Sequence, residues 1–256
     1  MKVSIITVVY NNQDTIKDAI ESVLNQTYKN IEYIIIDGAS TDRTVEIIKS
    51  YEDKIDKFIS ESDKGIYDAM NKGIKLATGD IIGILNSDDF YASNDIIEKA
   101  VREFQEKKVD SVYGDLVYTD AKNTNKVIRY WKSKSYKRGL FQKGWHPAHP
   151  TFFVKKEVYD KYGLFNFDFK IAADYELMLR FLEKYQISSS YIPEIFVKMR
   201  LGGESNQSIK NVIKANIESY NAWKVNGLDI NPFQMLLKPL SKLLQFKKTN
   251  APSSQP

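Results

Sequence analysis

Residues 80–89 read DIIGILNSDD, an apolar run of Ile81, Ile82, Gly83, Ile84 and Leu85 that breaks off into Asn86, Ser87, Asp88 and Asp89. Five successive apolar residues suit a strand covered on both faces. Two adjacent carboxylates at its end repel each other unless water solvates them or a cation neutralises them. A solvated turn or a helix cap would account for an isolated pair. The flanking sequence decides between these readings.

Upstream, Val3 to Val9 is a second buried run, followed by Ile16, Ala19, Ile20, Val23 and Leu24 at helical spacing. Glu32 to Ile36 is the next strand, ending at Asp37 and Gly38. Val45, Ile47 and Ile48 mark another helix, with Ser40, Thr41 and Asp42 as capping candidates. A short strand over Lys57 to Ser60 precedes a helix whose apolar face is Ile66, Ala69, Met70, Gly73 and Ile74. Such alternation predicts an α/β fold with a mainly parallel sheet and right-handed crossovers. Ligands of these sheets bind beyond the carboxyl ends of the strands. Three polar clusters fall there: Tyr10-Asn11-Asn12, Asp37-Gly38 and Asn86 to Asp89.

Downstream, a helix around Ile96 to Phe104 leads to strands over Ser111 to Tyr118 and Lys126 to Trp131. A basic and aromatic loop runs from Lys132 to His149, then a strand-like Thr151 to Val154, a helix from Tyr175 to Tyr185 and a strand from Tyr191 to Met199. With no Pro/Gly-rich linker and no internal repeat, residues 1–208 read as one catalytic domain, 209–248 as a helical extension and 249–256 as a frayed tail.

Composition narrows the class. The chain has 256 residues, 43% of them hydrophobic, and no cysteine, which removes disulfides and thiolate metal sites. A net charge of +4 with scattered basic residues does not describe a nucleic-acid binder. The start lacks a signal-peptide pattern and no apolar run could span a bilayer, so a cytoplasmic location is expected.

Adjacent carboxylates at a strand end suit a hard divalent cation, Mg²⁺ or Mn²⁺, which shares its coordination with water and substrate phosphates. Zinc is a poor match, because the two histidines lie far off in sequence.

Two stretches carry a family resemblance. VSIITVVYNNQDTIKDAIESVLNQTYKNIEYIIIDGASTDRT (3–44) and SDKGIYDAMNKGIKLATGDIIGILNSDD (62–89) are similar to the inverting glycosyltransferases of family 2, which have the GT-A fold, and to bacterial polysaccharide and O-antigen assembly members in particular. The resemblance covers most of residues 1–200. It implies a Rossmann-like sheet flanked by helices, a nucleotide-sugar half over about 1–115 and an acceptor half over about 116–208. It also implies a nucleotide-sugar donor, read here as UDP-linked, a Mn²⁺ or Mg²⁺ ion, and transfer with inversion.

Carried over by position, Thr7, Val9 and Tyr10 match the first-strand segment that holds the base, and Asp37 matches the acid that contacts it. Asp88 and Asp89 match the metal and ribose motif, with Asp89 the more direct metal ligand. Gly38 stands where many members have a second acid, and Asn86 replaces the first acid of the fuller motif. Lys64 is a diphosphate partner and Asp68 a nucleoside contact; Asp68 and Asn71 also fit the polar face of an amphipathic helix.

In FDFKIAADYELMLRFLEKY (167–185), Asp174 matches the family's catalytic acid, and inverting transfer needs a carboxylate to take the acceptor's proton. An N-cap aspartate is the alternative, with Glu176 the fallback base. In KGWHPAHPTFF (143–153), Trp145 and His149 are acceptor or donor-sugar contacts, or members of a packed loop. MRLGGESN (199–206) offers Arg200 as an anion partner on a loop able to close.

NPFQMLLKPLSKLLQFKK (231–248) has the apolar and lysine composition of an interfacial helix, interrupted by Pro239. It either lies on the cytoplasmic face of the inner membrane through 232–248, consistent with a lipid-linked saccharide acceptor, or packs on protein. A sugar nucleotidyltransferase is the rival enzyme, but VVYNNQDT lacks the glycine-rich basic loop such enzymes use. A degenerate carbohydrate-binding relative would have no need of Asp174.

Overall fold

The computed structural model describes residues 1–201 and 209–230. One mixed sheet of nine strands runs through it, in the order β3-β2-β1-β4-β8-β6-β9-β5, with β7 added to β6. The first half is parallel: β1 (Val3–Val9), β2 (Ile31–Asp37), β3 (Lys57–Ser60) and β4 (Ile81–Asn86). The second half mixes directions through β5 (Asp89–Tyr91), β6 (Ser111–Thr119), β7 (Val127–Trp131), β8 (Phe153–Lys155) and β9 (Ser189–Arg200).

Register sets the site. Val9 pairs with Asp37, Val8 with Asn86, and Asp37 with Ser60. The carboxyl ends of four strands are therefore level, and the three polar clusters leave the sheet at one edge.

Successive side chains of a strand face opposite ways, and both faces of this sheet are covered. Ile6, Val8, Ile34 and Ile36 pack against α3 (Ile66–Leu76) and α6 (Ala173–Leu179). Ile5, Val9, Tyr33 and Ile35 pack with α1 (Ile16–Leu24) and α4 (Ile96–Lys107) on the other face. Gly73 permits the close approach of α3, since a Cβ there would lie 2.4 Å from Ile6 Cγ2. Helices α2 (Thr44–Lys49) and α5 (Lys156–Tyr162) complete the layers.

Three features escape periodicity: the three-residue β5, the short α5, and the continuation of α6 as a π-helical turn over Arg180–Lys184. Thr151 falls in a 3₁₀ turn, so the strand-like stretch shortens to β8. The loop from Lys132 to His149 is pinned by buried carboxylates. Asp115 accepts the Ser133 N–H at 2.7 Å, and Glu183 accepts the Gly139 N–H and the Tyr136 hydroxyl.

Helix α7 (Ile209–Val225) is fastened to the catalytic half. Glu218 accepts the backbone N–H groups of Lys170, Ile171 and Ala172 at 3.1, 2.8 and 2.9 Å, satisfying donors at the start of α6 from a distant element. The buried Trp223 donates to the Tyr175 hydroxyl at 2.9 Å. Truncating Trp223 to Ala is expected to cost about 3–5 kcal/mol by cavity formation. Urea unfolding checks this, and a loss below about 1 kcal/mol would contradict the packing role. The membrane-surface reading of 232–248 and the tail beyond lie outside the described residues. Among those described, no helix is long and apolar enough to cross a membrane.

Candidate active site

The turn after β4 is held from three sides. Asn12 Nδ2 donates to Ser87 Oγ at 2.8 Å and Thr15 Oγ1 to the Ser87 carbonyl at 2.9 Å. From β9, Arg200 donates to the Asp88 carbonyl at 2.8 Å and to the Asp18 carboxylate, and its guanidinium lies 4.8 Å from the Phe90 ring centre. Arg200 thus braces the acidic turn, and its pairing with Asp18 replaces the expected role as a free anion partner.

Within the turn the two aspartates differ. Asp89 is 0% exposed, while Asp88 keeps part of its side chain at the surface. Asn86 Nδ2 donates to Asp89 Oδ2 at 3.2 Å. Asp89 Oδ1 and Asn86 Oδ1 are buried with no hydrogen-bond partner among the described residues. Burial first, and the neighbouring Asp88 charge second, push the Asp89 carboxyl well above the carboxylate range. Burial also raises Asp88, opposed by the charges of Arg200 and His149. Two orphaned acceptor oxygens beneath a half-open carboxylate fit a hard cation. Among the described residues no three His, Cys, Asp or Glu side chains come together, so water and substrate oxygens would have to complete its coordination.

A further carboxylate, Asp174, is linked to this turn through His149, which acts electrostatically on Asp88 and pairs with Asp174. Asp174 is the second residue of α6, and the helix start is capped by Glu218, so the N-cap reading does not hold. Its Oδ2 lies 3.1 Å from His149 Nδ1, with exposures of 18% for Asp174 and 30% for His149. The Tyr67 hydroxyl donates to the Ile171 carbonyl at 2.8 Å and lies 3.4 Å from Asp174 Oδ1. Behind the pair is a cavity of about 20 Å³ lined by Met70, Ile84, Phe152 and Phe165, room for about one water. Burial opposes the Asp174 charge. The electrostatic pull and hydrogen bond of His149, with His146 and the Tyr175 N–H, override it and hold the carboxyl well below its ordinary range. Asp174 therefore stays ionised, fixed at one oxygen and facing a partly dry space. Tyr118 feels both Asp89 and Asp174, so the two acids lie within electrostatic reach of one ring.

Several expected contacts are redirected. Thr7 is fully buried with its hydroxyl 3.1 Å from that of Tyr33, and the Val9 side chain is in the core, so neither side chain can face a base. Only Tyr10 of that segment is open, at 63% exposure. Asp37 is sealed, accepting from Ser40 N at 3.0 Å and Ser60 Oγ at 2.6 Å. Glu176 is excluded as a base by its ion pair with Arg180 at 2.9 Å and the Asn226 amide at 2.9 Å. Trp145 packs among Tyr113 and Tyr136 rather than presenting a free face. Asn71 bridges the Phe165 N–H and carbonyl at 2.9 and 2.8 Å. Asp68 accepts the Lys64 N–H at 3.0 Å at the start of α3, while the Lys64 side chain is exposed.

The profile of the family described as Glycosyl transferase family 2 matches residues 4–163. The chain belongs to that family. An uncharacterized glycosyltransferase of Rickettsia typhi is 34% identical over 229 residues, covering 86% of this chain and 69% of its own length. A PGL/p-HBAD biosynthesis glycosyltransferase of Mycobacterium bovis is 26% identical over 208 residues, covering 79% of this chain and 78% of its own. Among solved structures, S. aureus TarS 1–349 in complex with UDP-GlcNAc aligns with TM-score 0.65 at 16% identity, over 98% of this chain and 74% of that one. The longer TarS chain is covered over 44%. The Pyrobaculum calidifontis mannosyltransferase PcManGT with GDP-Man and Mn²⁺ aligns with TM-score 0.65 at 18% identity, over 94% and 69%. At these identities the solved neighbours establish the GT-A fold of this family 2 transferase.

The pKa shifts fix a sign for pH dependence. Asp88 and Asp89 are raised on folding, so they favour the fold while protonated and lose that contribution as pH climbs from about 4 through their folded values. Asp174 and Glu32 are lowered, so their contribution is complete above about 4 and fades only below it. The metal-free chain is expected to lose melting temperature as pH rises above the ordinary carboxylate range, with Mn²⁺ restoring more the higher the pH. Thermal unfolding from about pH 5 to 8 decides it; an unchanged Mn²⁺ increment over that span would contradict the assignment.

Proposed function

We propose that the chain is a metal-dependent inverting transferase that moves a hexose or N-acetylhexosamine from a UDP-sugar to a saccharide acceptor. The carrying observation is a set of acids linked through one histidine: Asp174 pairs with His149, which also acts electrostatically on Asp88 beside the buried Asp89. Acids so placed can serve opposite ends of one displacement, at the leaving group and at the attacking hydroxyl.

Asp88 is the open carboxylate for Mn²⁺ or Mg²⁺, and the unpartnered Asp89 Oδ1 would join it as a ligand once a bound ion offsets the burial that favours the protonated acid. The ion would stabilise charge on the departing diphosphate. Asp174 receives the acceptor hydroxyl's proton as the new C1–O bond forms and the bond to diphosphate breaks, and a single displacement inverts the anomeric carbon. His149 keeps one Asp174 oxygen occupied, leaving the other for the acceptor. The GDP-Man and Mn²⁺ in PcManGT and the UDP-GlcNAc in TarS support a nucleotide-sugar donor and a divalent ion.

A polyprenyl-diphosphate-linked saccharide acceptor, used in cell-surface polysaccharide assembly, is in keeping with the apolar and lysine composition of 232–248. The test is transfer from a panel of UDP- and GDP-sugars with Mn²⁺ or EDTA, the product anomer being read by NMR. Metal-dependent turnover with inverted product supports the reading; retained configuration would overturn it.

A further inference from the structure

Gly38 leaves the end of β2 without a second acid, and Asp37 is closed off by Ser40 and Ser60. A different segment fills the place. A Cβ built on Gly38 would meet Asp63 Oδ2 at 2.6 Å and the Tyr10 ring at 3.4 Å. Asp63 lies in the loop between β3 and α3, where its Oδ1 accepts the Gly65 N–H at 2.8 Å. That bond fixes the carboxylate, and Oδ2 has no hydrogen-bond partner among the described residues. A half-buried, oriented acceptor therefore stands beside the exposed Tyr10 ring at the carboxyl edge of the sheet.

We propose that Asp63 reads the nucleobase, its Oδ2 accepting the N3–H of uracil while the Tyr10 ring offers a stacking face. This deepens the nucleotide-sugar reading and rests on it. An ionised carboxylate only accepts hydrogen bonds, and uracil presents a donor at N3. Cytosine presents a lone pair there, which the carboxylate repels. Guanine offers two donors, N1–H and the N2 amine, and pairs best with both carboxylate oxygens, so the Gly65 bond to Oδ1 weakens that match without excluding it. The aromatic face adds affinity without distinguishing bases. A Cβ at position 38 would push the Asp63 carboxylate aside, so the bare Cα of Gly38 leaves the acid from the β3–α3 loop in this position.

Calorimetric titration with Mn²⁺ present tests this, using UDP, N3-methyl-UDP, CDP and GDP on the wild-type chain and on Asp63→Ala, Asp63→Asn and Asp37→Asn. The wild type should bind UDP about 10- to 100-fold more tightly than N3-methyl-UDP, the range for a hydrogen bond to a charged group. Asp63→Ala should lose that discrimination, and Asp63→Asn, which can donate as well as accept, should shift preference toward CDP. Asp37→Asn should keep the discrimination. Equal binding of UDP and N3-methyl-UDP by the wild type overturns the proposal with no variant needed, and so does discrimination that survives in Asp63→Ala. In either case the transferase reading stands. A wild type that binds none of the four nucleotides overturns both together.

Discussion

Replacing Asp174 with Asn is expected to lower kcat for transfer by about 10²- to 10⁴-fold, the usual contribution of a positioned general base. The substitution preserves shape and removes the charge that takes the acceptor's proton. Asp174 is held by His149 and is not part of the Asp88–Asp89 turn, so the donor KM should change little, and loss in kcat without loss in donor KM marks an interaction made in the transition state. Fold should survive, because Glu218 from α7 caps α6 and Asp174 has no capping role. Steady-state kinetics with a saturating acceptor measure it. Full activity in Asp174→Asn would return the base to an unassigned group, since Glu176 is already paired with Arg180 and Asn226.

The second large effect concerns Asp88. Its removal in Asp88→Ala should reduce kcat/KM by about 10²- to 10³-fold, as for loss of one preorganised charge-stabilising group. The half-saturating Mn²⁺ concentration should rise with it. Asp89 provides the contrast, being buried and raised well above the carboxylate range. Asp89→Asn should increase the melting temperature of the metal-free protein at neutral pH, because it removes a buried carboxyl that is costly to ionise. Asp88→Ala should leave that temperature nearer the wild-type value. Mn²⁺ titrations of activity and melting curves of both variants separate the two roles. An unchanged Mn²⁺ requirement in Asp88→Ala would remove it from the metal site.

Much of this was readable in the chain. The strand cores announce themselves because both faces of the sheet are covered, so β1, β2 and β4 are dominated by β-branched and other apolar residues. The acids end such runs, and their placement at one sheet edge follows from parallel connection. Asp174 stood out because it falls where the resemblance puts the family's catalytic acid, at the start of a helix. By contrast, β5 was hidden by its three residues, and α5 by a short polar sequence that offers too few turns for a period.

What the sequence alone determined was the family, the order of strands and helices, and which acids gather at the carboxyl edge, since these follow from local pattern and chain connectivity. Only the tertiary structure decided which of those acids are free. Asp37 is spent on Ser40 and Ser60, Glu176 on Arg180 and Asn226, and Arg200 on Asp18 and the Asp88 carbonyl, while Asp88 stays open over Asp89 and Asp174 is held by His149. The partners concerned are as far apart as 182 residues, as for Asp18 and Arg200. Hydrogen-bond saturation depends on which groups the fold brings within about 3 Å, and no spacing along the chain records that.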